Sequence, residues 1–148
     1  MERDLREFVF RRALMQCEYC RMPQEFSDAT HQIDHIIAEQ HRGPTTPENL
    51  ALACFHCNNH KGPNIAGIDP DTGSIAHLFH PCVDRWAQHF FWKQAILIGL
   101  SPTGRATIET LAINVRHRVL HRQSLIEEGV FPPKANSKDI AIRNENEI

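Results

Sequence analysis

Near the start of the chain, Leu5, Phe8 and Val9, followed by Arg12, fall at helical spacing with Arg and Glu between them. The pattern predicts a short helix over residues 3 to about 14. Residues 30–37, THQIDHII, are rich in β-branched and apolar types and read as a strand. The following stretch, AEQHRGPTTPEN, carries Gly43, Pro44 and Pro47 and cannot continue as regular structure. Leu50 to Ala53 reads as a second short strand. Cys57 to about Lys61 opens a short helix that Gly62-Pro63 stops. Strand, loop, strand and helix make a ββα arrangement.

Downstream, Pro70-Asp71-Thr72-Gly73 is a turn signal. Ile75 to Pro81 and Trp86 to Trp92 read as strands joined through PCVD, and Ala95 to Leu100 as a third. The expectation is a small antiparallel sheet. Ile108, Leu111, Ala112, Val115 and Val119 then mark the buried stripe of one long helix over residues 105–128. Gly129 ends it, and Pro132-Pro133 prevent continuation. The polar tail from Lys134 is expected to be mobile. The fold class read from this order is α+β. Residues 1–66 form a core with an N-terminal helix, residues 67–133 an extension packed on it, and residues 134–148 the tail.

Composition narrows the reading. Hydrophobic residues make up 41% of the 148, a share that gives only a modest core and suggests help from a metal. The net charge of −2 excludes a generally basic nucleic-acid coat, so any such contact must come from a local patch. No apolar run reaches the length of a membrane span. MERDLREFVFRR lacks an apolar signal region, so a cytoplasmic location and no membrane partner are expected.

Four of the five cysteines lie in two C-x-x-C pairs, Cys17/Cys20 and Cys54/Cys57. One tight turn lets two thiolates reach one ion, and two such turns complete a tetrahedral Cys₄ zinc site. The intervening 33 residues must hold structure of their own. The competing readings are two unrelated reduced pairs or a redox pair, and the latter lacks a surrounding βαβ pattern. Cys82 has no partner in the sequence and no assigned role.

Between the pairs lies a cluster suited to phosphodiester hydrolysis. That reaction needs a base for water, charge neutralisation at the phosphate and leaving oxygen, and a fixed orientation for the base. His35 can serve as base, since imidazole changes charge near neutral pH. Asp34 offers a hard oxygen and Asn58 an amide oxygen to a hydrated Mg²⁺ or Mn²⁺. Asn49 can orient His35 or constrain the loop. Adjacent strand residues point to opposite faces, so Asp34 and His35 need a strand end or a distortion to share one phosphate. Alone, an Asp-His pair is common on surfaces and carries no chemistry.

The combination C-E-Y-C, I-D-H-I-I, P-E-N-L-A-L-A-C and C-F-H-C-N-N-H-K-G resembles the HNH endonucleases, the ββα-metal nucleases, over residues 17 to 62. The resemblance implies a divalent-metal-dependent DNA endonuclease that leaves 5′-phosphate and 3′-hydroxyl ends. His35 takes the place of the first His and general base, Asn49 the central Asn, and Asp34 the first metal ligand. Asn58 stands where many members have a final His, as in the HNH domains of CRISPR effector nucleases, and His60 lies two residues late for that role. Residues 69–114 are similar to an extension seen in stand-alone bacterial HNH proteins. The competing class is a catalytically silent zinc module that binds nucleic acid or protein.

Candidate nucleic-acid contacts are Lys61, Arg42 and His60 within the motif, with His41 and His56 beside them, and Arg105 and Arg116 on the predicted long helix. Over residues 101–123, four arginines oppose one Glu, a net +3 that reads either as a DNA-facing stripe or as a solvated face. Trp86, His89, Phe90 and Trp92 read as core or as a base-stacking platform. Without a recognisable specificity domain, a protein partner that supplies specificity is a further expectation.

Overall fold

The computed structural model describes residues 1–133, so the polar tail lies outside the described residues. Helix α1 (Arg3–Arg12) comes first and ends where Leu14 and Met15 take left-handed backbone angles. That reversal feeds a tight loop in which Cys17 N–H donates to Met22 O at 2.9 Å and Arg21 N–H to Cys17 O at 2.8 Å, forming the first cysteine knuckle.

Strands β1 (Gln32–His35) and β2 (Leu50–Ala53) pair antiparallel, with Asp34 opposite Ala51 and His35 opposite Leu50. All four residues of β2 are buried. The Leu/Ala alternation explains how. Leu50 and Leu52 pack with Val9 of α1 and Ala13 at its C-cap, while Ala51 and Ala53 join the main core, which holds the cysteines. The large residues fill the gap to the helix, and the small ones admit what lies on the other face. Helix α2 (Phe55–Lys61) follows β2 directly, two residues earlier than its composition suggested, because Cys54 is its N-cap: the Cys54 sulfur accepts from Cys57 N–H at 3.4 Å. The ββα arrangement is therefore present.

The second half departs from its predicted form in three places. The expected sheet is a pair of separate hairpins, β3 (Ala66–Ile68) with β4 (Ile75–His77), and β5 (Phe90–Lys93) with β6 (Ile96–Gly99). The stretch expected as one strand from Trp86 begins instead with a helical turn, α3 (Trp86–His89). Trp86 and Phe90, four apart, are both buried while Ala87 and Gln88 are exposed, which is helical and not alternating spacing. The indole N–H of Trp86 donates to Tyr19 O at 2.9 Å, and its ring packs against Phe90 and Trp92, so these aromatics are core and not a stacking platform.

The long helix is likewise two helices, α4 (Pro102–Thr110) and α5 (Arg116–Glu127). Between them Ala112 is left-handed, and the Asn114 side chain is strapped to β6, donating to Leu97 O at 2.8 Å and accepting from Leu97 N–H at 3.0 Å. The carbonyls released by the break are taken by two arginines of α5. Arg118 donates to Leu111 O at 2.8 Å and Ala112 O at 3.2 Å, and Arg122 to Ile113 O at 2.9 Å. No helix among the described residues is long and apolar enough to cross a membrane.

Candidate functional site

Two chemical centres are built on the ββα unit. The first is the thiol cluster. Cys17, Cys20, Cys54 and Cys57 are buried, and their four sulfurs lie within 4.8 Å of one another. Cys20 and Cys54 sulfurs are 3.7 Å apart, near the edge of about 3.8 Å that a tetrahedron with metal–sulfur bonds of about 2.3 Å would have. The donor set fits a thiophilic metal ion. Burial pushes the Cys17 and Cys57 thiols up, while hydrogen bonds from the Cys17, Cys54 and Cys57 thiols hold Cys20 down. Arg118 reaches into this cluster, 3.1 Å from the Cys57 sulfur and 3.8 Å from that of Cys54. Burial pulls its guanidinium down, but the thiols around it reverse the sign and hold it above its ordinary range.

The second centre is an open cleft of about 550 Å³ lined by Asp34, His35, Glu39, Gln40, Asn58 and Gly62, among others. Here the structure brings three of the four candidate catalytic residues together. His35 is the last residue of β1, which resolves the opposite-face problem at a strand end. Its Nε2 lies 2.9 Å from Thr45 Oγ1 and 3.3 Å from Glu39 Oε1. Asn58 is half-buried on α2 and its amide donates to Gln32.

Asp34 forms the floor. Its Oδ2 accepts from Tyr19 Oη at 2.8 Å and lies 3.2 Å from Lys61 Nζ, whereas Oδ1 has only a 3.4 Å contact to Lys61. Burial raises this carboxyl; the Lys61 charge and the Tyr19 hydrogen bond oppose the rise. Oδ1 therefore retains capacity for another partner. Asn49 is buried, and its side-chain hydrogen bonds go to the loop and not to His35. Its Oδ1 accepts from Ile37 N–H at 2.9 Å, and its Nδ2 donates to Ile37 O at 3.0 Å and Pro44 O at 2.9 Å. Of the two roles open to it, it takes the second: it clamps the loop after β1. Gly43 lies so close to Ile37 O and Asn49 Nδ2 that a side chain would collide with both.

The basic candidates need revision. Lys61 is fully buried, and its ammonium is consumed by Asp34, by Ile36 O at 2.9 Å and by His35 O at 3.3 Å. It faces the interior and not a phosphate, because α2 turns that side toward β1. Arg105 is held by Asp69 through two hydrogen bonds of 2.9 Å and by Asp71 at 3.2 Å. Arg118 and Arg122 are buried, so the predicted stripe is reduced to Arg116 with His117 and His121. Arg42, His41, His56 and His60 are exposed.

Tyr19, Thr45, Glu39 and Gln32 were not singled out from sequence. Glu39, four residues after His35, was the most accessible cue. Tyr19 carries none, since the two positions inside a C-x-x-C turn are ordinarily free.

Residues 17–64 match the model of the HNH endonuclease family. Over 61 residues, the chain is 42% identical to the CRISPR-associated endonuclease Cas9 of Corynebacterium diphtheriae, covering 40% of this chain but 5% of that protein. The chain thus spans a small part of the length of the curated relative it matches. No solved structure matches it.

Proposed function

We propose that the protein is a divalent-metal-dependent endonuclease that hydrolyses phosphodiester bonds in DNA, with His35 as general base. The observation that carries this reading is the placement of His35 at the mouth of a cleft shared with Asp34 and Asn58, inside the stretch that matches the HNH family model.

The Glu39 carboxylate 3.3 Å from Nε2, with Thr45 Oγ1 at 2.9 Å, suits the tautomer that carries its proton on Nε2, and in that tautomer Nδ1 of His35 takes the proton from water. Glu39 opposes the positive charge that the imidazole then acquires. The ring's position follows from its backbone: Lys61 holds the His35 carbonyl from below, and Asn49 fixes the loop that carries Glu39 and Thr45. Asp34 Oδ1 and Asn58 Oδ1 are hard oxygens on one cleft, a donor set suited to hydrated Mg²⁺ or Mn²⁺. Such an ion would supply Lewis-acid stabilisation of the phosphate and the leaving 3′-oxygen. The cysteine cluster would hold structural Zn²⁺. Arg42, His60 and Arg116 are among the exposed groups left to meet the backbone of the nucleic acid. We take residues 1–66 as the nuclease core and residues 67–133 as an extension that braces it.

The test is cleavage of supercoiled plasmid by wild type and His35→Ala, each with Mg²⁺, Mn²⁺ or EDTA. Wild type should nick or linearise the plasmid with metal and not with EDTA. The variant should lose at least about 10²-fold in rate with unchanged metal content and melting temperature. A variant as active as wild type removes His35 from the role. Metal-independent binding without cleavage by folded, zinc-loaded protein would favour the silent binding module.

A further inference from the structure

A helix far along the chain carries two buried arginines that nothing in the proposed hydrolysis uses. Arg118 and Arg122 are four residues apart on one face of α5 and are 5% and 1% exposed. Buried guanidinium groups ordinarily require a carboxylate partner. Neither has one among the described residues. Arg122 donates to Ala95 O at 2.8 Å, to Ile113 O and to Asn114 Oδ1, all uncharged acceptors, and lies over the Trp92 ring. Arg118 has carbonyls on Nη1, and on Nη2 only the sulfurs of Cys57 and Cys54.

The missing negative charge is in the thiol cluster. A dication with four thiolates carries two net negative charges, and two guanidinium groups balance them. Neutral thiols would leave both arginines buried without a counter-charge. A trivalent ion would leave one excess positive charge. The charge balance therefore matches a divalent ion in a fully deprotonated Cys₄ set.

We propose that Arg118 is the outer-sphere donor and counter-cation of the metal–thiolate centre, with Arg122 as a second, more distant charge, so that α5 is docked onto the core by the bound metal. The inference rests on the metal of the preceding reading and is independent of the nuclease chemistry. Donation by Arg118 into Cys57 and Cys54 fixes the position of those sulfurs and offsets their charge, so it should slow metal loss.

The experiment measures metal release from zinc-loaded full-length protein under excess chelator, comparing wild type with Arg118→Met and Arg118→Lys. It is repeated on Co²⁺-loaded protein by the sulfur-to-cobalt absorption band. Arg118→Met should release metal on the order of 10-fold faster and shift the band, with Arg118→Lys between it and wild type. A folded Arg118→Met with unchanged release and band overturns the proposal. Wild type that binds no dication after loading overturns the metal reading along with it.

If Arg118→Met does not fold, hydrogen exchange of the wild type decides. Chelation should expose the amides of α5 while those of α4 stay protected. Equal response of both helices, or none in α5, overturns the docking.

Discussion

At the scale of single residues, Lys61 shows how little a side chain's type says about its role. An exposed lysine in this motif would be a phosphate contact. Here its ammonium lies under β1, shared between a carboxylate and two carbonyls. Lys61→Met should therefore leave Asp34 and those carbonyls buried without a donor and destabilise the fold by about 3–5 kcal/mol. Urea denaturation is the check. A surface lysine would lose nucleic-acid affinity and leave the midpoint unmoved. The candidate residues themselves were legible, because His35, Asn49, Asn58 and the cysteines are chemically distinctive at fixed spacing. Their partners were not. Tyr19 reaches Asp34 from fifteen residues away, and only the folded knuckle brings them together.

At the scale of elements, β1, β2 and α2 follow from hydrophobic pattern and breakers, which is why the ββα unit was readable. The α4–α5 break was not. The apolar stripe from Ile108 to Val119 keeps helical spacing straight across it, and the break is imposed from outside by Asn114 bonded to β6 and by arginines donating to the stray carbonyls. The turn between β3 and β4 is tied to α4 in a similar way. Two hydrogen bonds from Arg105 push the Asp69 carboxyl down to about 2. A carboxyl depressed in the fold contributes stability above its unfolded value of about 4, and that contribution is lost as pH falls through its folded value. Arg105→Met should thus lower the melting temperature at pH 7, and the gap to wild type should close between about pH 4 and pH 2. A gap that stays constant across this window would mean the pair contributes nothing through charge.

At the scale of the whole molecule, one buried cluster runs from the cysteines through Leu78, Phe79 and Trp86 to Leu125 and Phe131. The four clustered cysteines are thus built into the same interior that organises the hairpins and α5. What converges on the first knuckle is unusual for so short a stretch. Within Cys17-Glu18-Tyr19-Cys20, the outer residues offer sulfur. Glu18 pairs with Leu52 through both its N–H and its carboxylate, each at 2.8 Å. Tyr19 donates its hydroxyl to Asp34 and its carbonyl accepts from the Trp86 indole. The usual freedom of the two intervening positions is therefore absent. In a library of all single substitutions scored for folded protein, these four neighbours should form an unbroken block of intolerance, whereas the corresponding positions of the second turn, exposed Phe55 and His56, should accept most changes. Tolerance at Glu18 and Tyr19 equal to that at Phe55 and His56 would refute this. The two turns look interchangeable as text, yet between the cysteines damage to the chain would be recorded almost wholly in the first.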